Sequence, residues 1–163
     1  MVWEADSGQR RFILKALRES YGELFGQFSN LNERALRWRP APGEWSLKEI
    51  AAHLRDAEEL YRRQLEMIAR DTEPRLPYES LDVLLLENDY REERIGRLLA
   101  EFEAAREDTF WLLRMLDEDD WQRTGIHPYR GPVSVMDIAR EMHEHDLEYL
   151  YKAQRLRKVL PQR

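Results

Sequence analysis

The sequence predicts an all-α fold, a four-helix bundle. Apolar residues recur at steps of three and four along four long segments, and prolines and glycines gather between those segments. No segment alternates apolar and polar residues as a half-buried strand would. A chain of 163 residues buries roughly 70% of its unfolded surface on folding, which is enough for an independent core. We therefore expect one domain over residues 1–163, built from four amphipathic helices around one core.

The first two helices are separated by a proline-rich break. The first is predicted over about residues 7–28, from apolar positions at helical spacing: Phe12, Ile13, Ala16, Leu17, Tyr21, Leu24, Phe25 and Phe28. Residues 39–43 contain two prolines, which lack a backbone donor and restrict the residue before them, so helix ends before this segment. Ser46 and Glu49 have the spacing of a capping box, which predicts that the second helix begins at Leu47. Its inward stripe is Ile50, Leu54, Ala57, Tyr61, Leu65 and Ile68.

The third and fourth helices are separated by a segment rich in turn residues. The third lies within about residues 80–116, and the apolar pattern does not fix where it begins. Residues 117–132 contain two glycines and two prolines, which favour a long ordered loop over any regular element. Ser134 and Asp137 are placed to cap the fourth helix. Its inward stripe is Val135, Ile138, Met142, His145, Tyr149 and Leu156.

The composition excludes several classes of function. Without cysteine the chain has no disulfide, no thiolate nucleophile and no cysteine zinc site, so any thiol chemistry would need an external thiol. The net charge is −6 and the cations are interleaved with acids, so we expect no nucleic-acid partner. The longest aliphatic run, Val83 to Leu86, is far shorter than the ~20 residues of a membrane span, so we expect no membrane partner. Residues 1–10 show no targeting pattern, so a cytoplasmic location is expected.

Two of the four histidines lie on inward stripes. His53 follows Ile50 by three residues, and His145 occupies the equivalent place on the fourth helix, so helical geometry keeps both rings on apolar faces. His143 lies about 200° around the helix from His145 and should point elsewhere. His127 falls in the loop rich in glycine and proline, where it either covers the end of the bundle or is exposed.

These histidines form part of a polar cluster on the predicted inner faces. A single inward imidazole is more often a hydrogen-bonded core residue than a metal ligand or a proton-transfer group. Two histidines from different helices, with Tyr149 and the nearby Asp56, favour a functional pocket, because buried polar groups destabilise a fold unless they are satisfied. Asp56 either orients the ring of His53 as a hydrogen-bond acceptor or is solvated. Trp45 is predicted to be a packing residue.

Two segments resemble a known family. Residues 39–54 read RPAPGEWSLKEIAAHL, which resembles the P-G-E-W-S-x-K-E-x-x-x-H-L signature of the DinB-like (YfiT-like) superfamily. Residues 144–150, EHDLEYL, are similar to the H-x-x-x-H segment of its last helix. The resemblance implies a four-helix bundle, often a homodimer, with a divalent metal such as zinc or nickel held by three histidines. Characterised members include metal-dependent hydrolases, and transferases or isomerases that use a low-molecular-weight thiol.

The resemblance assigns two of its metal ligands to His53 and His145, and the third to Tyr149. A neutral phenol is a poorer ligand for zinc or nickel than imidazole, because its pKa near ~10 means that coordination has to displace a proton. Asp56, Glu141 or waters could complete a site with two histidines. We therefore expect an altered version of the family site, with zinc, nickel or no metal at all.

Three functions stay open at this stage. In a metal-dependent hydrolase or thiol-dependent transferase, a metal at His53 and His145 would polarise a substrate group or activate a water or thiol. Tyr149 would then donate a hydrogen bond or a proton, with Asp56 as a further candidate catalytic residue. In a metal-free binding protein, the same cluster would form the polar floor of a small-molecule pocket. The third reading is a structural or stress-associated dimer. The sequence favours an altered site over an intact enzyme, and the small molecule is not identified by these residues.

Overall fold

The computed structural model describes residues 2–161, with side chains from residue 8 onward. Its helices are α1 (Val2–Gly26), α2 (Glu33–Arg37), α3 (Leu47–Arg70), α4 (Leu81–Glu87), α5 (Ile95–Met115) and α6 (Val135–Lys158). The four long helices form the predicted bundle, in which α3 packs against α5 and α6, and α1 packs against α6. Within residues 2–161, no helix combines the length and the apolar character needed to cross a membrane.

The predicted helix starts of α3 and α6 are confirmed, and both depend on capping boxes. At α3 the hydroxyl of Ser46 accepts a hydrogen bond from the backbone of Glu49, whose carboxylate accepts one from the backbone of Ser46. Ser134 and Asp137 make the same reciprocal pair at α6. Both oxygens of Glu49 also accept hydrogen bonds from Arg39, each at 2.7 Å. The proline-rich segment is thereby tied to the first turn of α3.

A buried network of charged and polar side chains joins the four long helices of the bundle. Arg106 on α5 donates to both carboxylate oxygens of Asp146 on α6, at 2.9 and 2.8 Å, and to Glu58 on α3 at 2.8 Å. Ser20 on α1 donates to Asp146 at 2.6 Å. These four residues join the four long helices, so the network orients them relative to one another. The apolar stripes did not predict it, because its members are charged or polar.

The predicted third helix is divided into three pieces, which corrects the sequence interpretation. After α4 the chain forms a short 3-10 turn at Tyr90–Glu92, and only then begins α5. The reason is local: Ser80 caps α4 by accepting from the backbone of Val83, and Asp89 accepts from the backbone of Arg91. Such hydrogen bonds from short polar side chains to the backbone compete with a continuous helix.

The expectation of an irregular loop over residues 117–132 was wrong. A 3-10 turn at Asp119–Gln122 leads into an antiparallel hairpin of β1 (Thr124–His127) and β2 (Gly131–Ser134). The backbone of Ile126 also bonds to the segment after α3, accepting from Leu76 at 2.9 Å and donating to Pro74 at 2.7 Å. A side chain at Gly125 would lie 2.5 Å from Leu76, so the strand approaches that segment closely. The two strands pair locally, but each has only 4 residues, too few for a clear alternating pattern, and the contacts to Pro74 and Leu76 are distant in sequence.

Candidate functional site

His53 of α3 and His145 of α6 meet inside the bundle. Their Nε2 atoms are 2.9 Å apart, a hydrogen-bonding distance. The ring centroid of Tyr149 is 4.5 Å from that of His53 and 4.6 Å from that of His145. Trp45, at the end of the proline-rich segment, stacks on Tyr149 with centroids 5.9 Å apart and an interplanar angle of 18°. The structure thus brings three predicted site residues together and places Trp45, which the sequence assigned to packing, against the ring of Tyr149.

The three rings line a cavity of about 250 Å³. Its walls come from α3, the segment that enters α4, the β-hairpin and α6. Besides the three rings, the walls include Tyr61, Gln64, Tyr78, Glu79, Asp82, His127, Arg130 and Glu141. Aromatic rings and imidazoles therefore line the cavity together with several acidic side chains.

Burial keeps both histidines neutral at physiological pH. Desolvation lowers the pKa of His53 to about 4, with Asp82 and Asp56 opposing the shift. Desolvation, assisted by the neighbouring ring of His53, also lowers the pKa of His145 to about 4. Each neutral imidazole has one N–H and one bare nitrogen, so one ring donates its Nε2–H to the Nε2 lone pair of the other. Burial raises the pKa of Tyr149 to about 12, with Glu148 acting in the same direction, so the phenol is also neutral.

Asp56 does not orient His53, which corrects that expectation. Its carboxylate accepts a hydrogen bond from the hydroxyl of Tyr90 at 2.6 Å and another from Arg55 at 3.1 Å. The Nδ1 atom of His53 is buried and has no hydrogen-bond partner among residues 2–161. Asp56 is three residues after His53, only about 60° from it around the helix, so the separation comes from the hydrogen bonds of its carboxylate to Tyr90 and Arg55 and not from the helical period.

The sequence matches a family model over a range that includes both histidines. Residues 16–148 match the model of the DinB superfamily. This range covers most of the chain. The chain belongs to the DinB superfamily. The matched range ends one residue before Tyr149, so the match itself does not extend to that position.

Solved structures similar to this DinB-superfamily chain share its fold. YfiT from Bacillus subtilis, described as a probable metal-dependent hydrolase with an unusual four-helix bundle topology, matches with a TM-score of 0.83 and 15% identity, over 91% of this chain and 86% of YfiT. The mycothiol-dependent maleylpyruvate isomerase matches with a TM-score of 0.71 and 12% identity, over 87% of this chain and 59% of the isomerase.

A third similar structure is the colibactin self-resistance protein ClbS in complex with double-stranded DNA. It matches with a TM-score of 0.70 and 13% identity, over 93% of this chain and 97% of ClbS. No curated protein matches this chain by sequence. At these identities the likenesses to YfiT, the isomerase and ClbS establish the fold alone.

The residues of the cavity do not reproduce the three-histidine set expected for the superfamily. Within residues 2–161, no three His, Cys, Asp or Glu side chains form a group that could hold a metal ion. Glu141, one of the residues expected to complete a site with two histidines, is paired with Arg130. Asp56, the other, is held by Tyr90 and Arg55. The donor set near the histidine pair is therefore two imidazoles and a neutral phenol, which does not fit a resident metal held by three protein ligands.

The sequence left the place of His127 open, and the structure puts it in the wall of the same cavity. It stands at the end of β1, and its side chain is 8% exposed. The turn signal of residues 127–131, with its proline and glycine, could have indicated a tight hairpin carrying this histidine. His143 points away, as predicted, and lines a separate surface cavity beside Phe12 of α1.

Proposed function

We propose that this DinB-superfamily protein binds a small organic molecule in the cavity of His53, His145 and Tyr149. The cavity is an altered form of the superfamily's metal site and works without a resident metal. The observation that carries this proposal is the 2.9 Å hydrogen bond between the Nε2 atoms of the two histidines.

The hydrogen bond and coordination compete for the same atoms. A metal held by both rings would need the lone pairs of both Nε2 atoms, and each would have to be deprotonated. In the observed pair, one Nε2 carries a proton and the lone pair of the other accepts it. Tyr149 adds no imidazole lone pair, because its phenol is neutral and its pKa is raised to about 12. The side chains at this site therefore favour a hydrogen bond between the two histidines over a metal ion bound by both.

The same electrostatics favour binding over proton-transfer catalysis. A general base works best when its pKa lies near the operating pH, whereas both histidines have a pKa of about 4. At neutral pH both rings are neutral and their Nε2 atoms are occupied by their mutual hydrogen bond, so the pair is poorly suited to take up a proton from a substrate. Aromatic walls with a few oriented polar groups are typical of small-molecule pockets.

Metal analysis of the untagged protein, purified without a chelator, tests the proposal. We expect zinc and nickel contents far below one ion per chain, even after incubation with either ion and removal of the excess. One tightly held ion per chain in the protein as isolated would overturn the metal-free assignment.

A second candidate function is favoured by the convergence of the two Nε2 atoms at positions that the resemblance assigns to metal ligands. YfiT is described as a probable metal-dependent hydrolase, and the isomerase as mycothiol-dependent. By this candidate the protein is a metal-dependent hydrolase or a thiol-dependent transferase. Because the chain has no cysteine, a transferase of this kind would use a thiol supplied by a small molecule. The same metal analysis separates the two candidates.

We also propose that the protein is a homodimer without a nucleic-acid partner. Exposed apolar side chains on α1 and α6, among them Phe12 and Tyr151, support the dimer. The net charge of −6 opposes DNA binding, although ClbS was solved with DNA. An absence of any gel shift with double-stranded DNA at low salt is the expected result.

A further inference from the structure

His127 is fixed in one tautomer by the turn of the β-hairpin. Its Nδ1 atom accepts hydrogen bonds from the backbone N–H groups of Tyr129 at 3.2 Å and Arg130 at 3.3 Å. A nitrogen that faces two donors has to be the unprotonated one, so the ring proton of the neutral imidazole lies on Nε2. Burial, with the nearby charge of Arg130, lowers the pKa of His127, which agrees with a neutral ring.

The opposite ring nitrogen has no partner within the protein. Nε2 of His127 makes no hydrogen bond to residues 2–161. This atom is not fully buried, because it is absent from the buried side-chain nitrogen and oxygen atoms that lack a hydrogen-bond partner. The rings of Tyr78 and Tyr129 pack against the imidazole, with centroids at 5.2 and 6.1 Å, and restrict its rotation. His127 therefore brings to the wall of the cavity an oriented N–H donor that is unused within residues 2–161.

The surrounding charges decide which acceptor this donor suits. Among the described residues, Arg130 is the one basic side chain of Lys or Arg type in the walls of the cavity, and it is paired with Glu141. Asp82 adds a carboxylate to the same walls, and Glu79 adds another that is paired with Arg63 at 3.3 Å. A carboxylate or phosphate would enter a net acidic site without a free cation to meet it, which is unfavourable. An uncharged oxygen acceptor avoids that repulsion.

We propose that His127 is a ligand-binding residue of this cavity, whose Nε2–H donates a hydrogen bond to an uncharged carbonyl oxygen, such as that of an amide or ketone. The ligand is a neutral, carbonyl-bearing organic molecule, and the cavity excludes anions of the same size. This inference rests on the proposed function and names the ligand class for that site. At about 250 Å³ the cavity suits a molecule of one aromatic ring.

The tautomer is tested first, on the full chain labelled with nitrogen-15. Long-range proton–nitrogen NMR correlations distinguish protonated from bare ring nitrogens. We expect His127 to be neutral at pH 7, with its proton on Nε2. A proton on Nδ1, or a cationic ring at that pH, would overturn the proposal.

Binding is tested with three matched probes: benzamide is neutral with a carbonyl, benzoate is its anionic counterpart, and benzylamine is a cation without an acceptor. We expect benzamide to bind most tightly and to shift the NMR signals of His127, His53 and His145. Benzoate should bind at least about tenfold more weakly. Benzoate or benzylamine binding as tightly as benzamide, or no binding of benzamide, would contradict the inference.

Two substitutions separate the role of His127 in the turn from its role in binding. In His127→Asn the amide oxygen can accept from the same backbone N–H groups, as asparagine does in Asx-turns, but no ring N–H reaches the cavity. We expect this variant to keep the melting temperature and to bind benzamide about threefold to tenfold more weakly. His127→Phe removes both roles and should lower the melting temperature as well.

The outcomes also distinguish this inference from the proposed function. If a probe binds in the cavity but His127→Asn leaves its affinity unchanged, the inference fails while the small-molecule pocket stands. If the isolated protein instead holds one metal ion per chain, the proposed function itself fails.

Discussion

At the scale of single residues, Tyr149 occupies the position where the resemblance to the superfamily implies a third histidine. The side chain is buried beside both histidines, and Trp45 stacks on its ring. A phenol there adds no imidazole nitrogen, and the two histidines hydrogen-bond to each other with their Nε2 atoms 2.9 Å apart. Position 149 is one helical turn from His145, so an imidazole there would enter the same space.

We predict that Tyr149→His increases the affinity for zinc or nickel by at least about tenfold, because it restores a neutral nitrogen donor beside the other two imidazoles. The smaller ring should lower the free energy of unfolding by about 1–3 kcal/mol without changing the fold. Calorimetric titration of each ion into metal-free protein measures the affinity, and circular dichroism checks the fold. Tyr149→Phe is the control, since it removes the hydroxyl without adding a donor. A folded histidine variant that binds no more tightly than the wild type would show that position 149 does not face the ligand space.

The histidine pair also predicts a pH dependence of stability. Both rings have an ordinary pKa of 6.5, lowered to about 4 in the folded protein. Between these values the unfolded chain binds more protons than the folded one, so the free energy of unfolding falls as the pH is lowered from 6.5 towards 4. Above 6.5 the two states bind protons equally at these sites, and the full stabilisation is present.

The double variant His53→Gln with His145→Gln should lack this contribution. Urea unfolding at about pH 7.5, 6.5 and 5.5, which span the titration of the unfolded-state imidazole, would measure this contribution. As the pH falls, the free energy of unfolding should decrease less in the variant than in the wild type. His143→Gln, which changes a histidine outside the cavity, is the matched control. Identical slopes for the double variant and the wild type would rule out the lowered pKa values.

At the scale of helices, the buried network of Arg106, Glu58 and Asp146 fixes how α3, α5 and α6 face one another. The side chains of all three are at most 2% exposed. Burial raises the pKa of Glu58, although Arg106 opposes the shift. Two carboxylates around one guanidinium leave the network dependent on that single cation.

We predict that Arg106→Met lowers the free energy of unfolding by about 3–5 kcal/mol at neutral pH, because it leaves two buried carboxylates without their cation. Arg97→Met on the same helix is the control. Arg97 pairs with Glu101 at 2.8 Å, but its side chain is largely exposed, and such pairs contribute about 0–1 kcal/mol. Urea unfolding followed by circular dichroism measures both variants. Equal effects for the two would mean that the network is not a major source of stability.

At the scale of the whole molecule, α1 and α6 carry an apolar surface that the bundle does not cover. Phe12 on α1 is 69% exposed, although the sequence pattern included it in the inward stripe. Leu147 and Tyr151 on α6, at 47% and 61%, follow His143 at steps of four residues. A pair of helices with such a surface can meet its own copy across a two-fold axis.

We predict that the protein is a homodimer in solution and that Phe12→Ser shifts it towards the monomer. Light scattering at tens of micromolar should give twice the 19.7 kDa chain mass for the wild type and a lower mass for the variant. Leu86→Ser, which changes an exposed apolar residue on α4, is the control and should leave the mass unchanged. A wild type that is monomeric at these concentrations would refute the prediction.

The sequence by itself determined the helical class, the capped starts of α3 and α6, and the placement of His53 and His145 on the inward faces of two helices. Each of these depends on interactions within a few residues or on the 3.6-residue period, which a linear pattern records. Only the tertiary structure decided the hairpin, the arginine network, the partners of Asp56 and the place of His127 in the cavity. Those features join residues tens of positions apart in sequence, such as Leu76 with Ile126 and Glu58 with Arg106. Their energy comes from packing and desolvation between segments, and no local pattern encodes which segments meet.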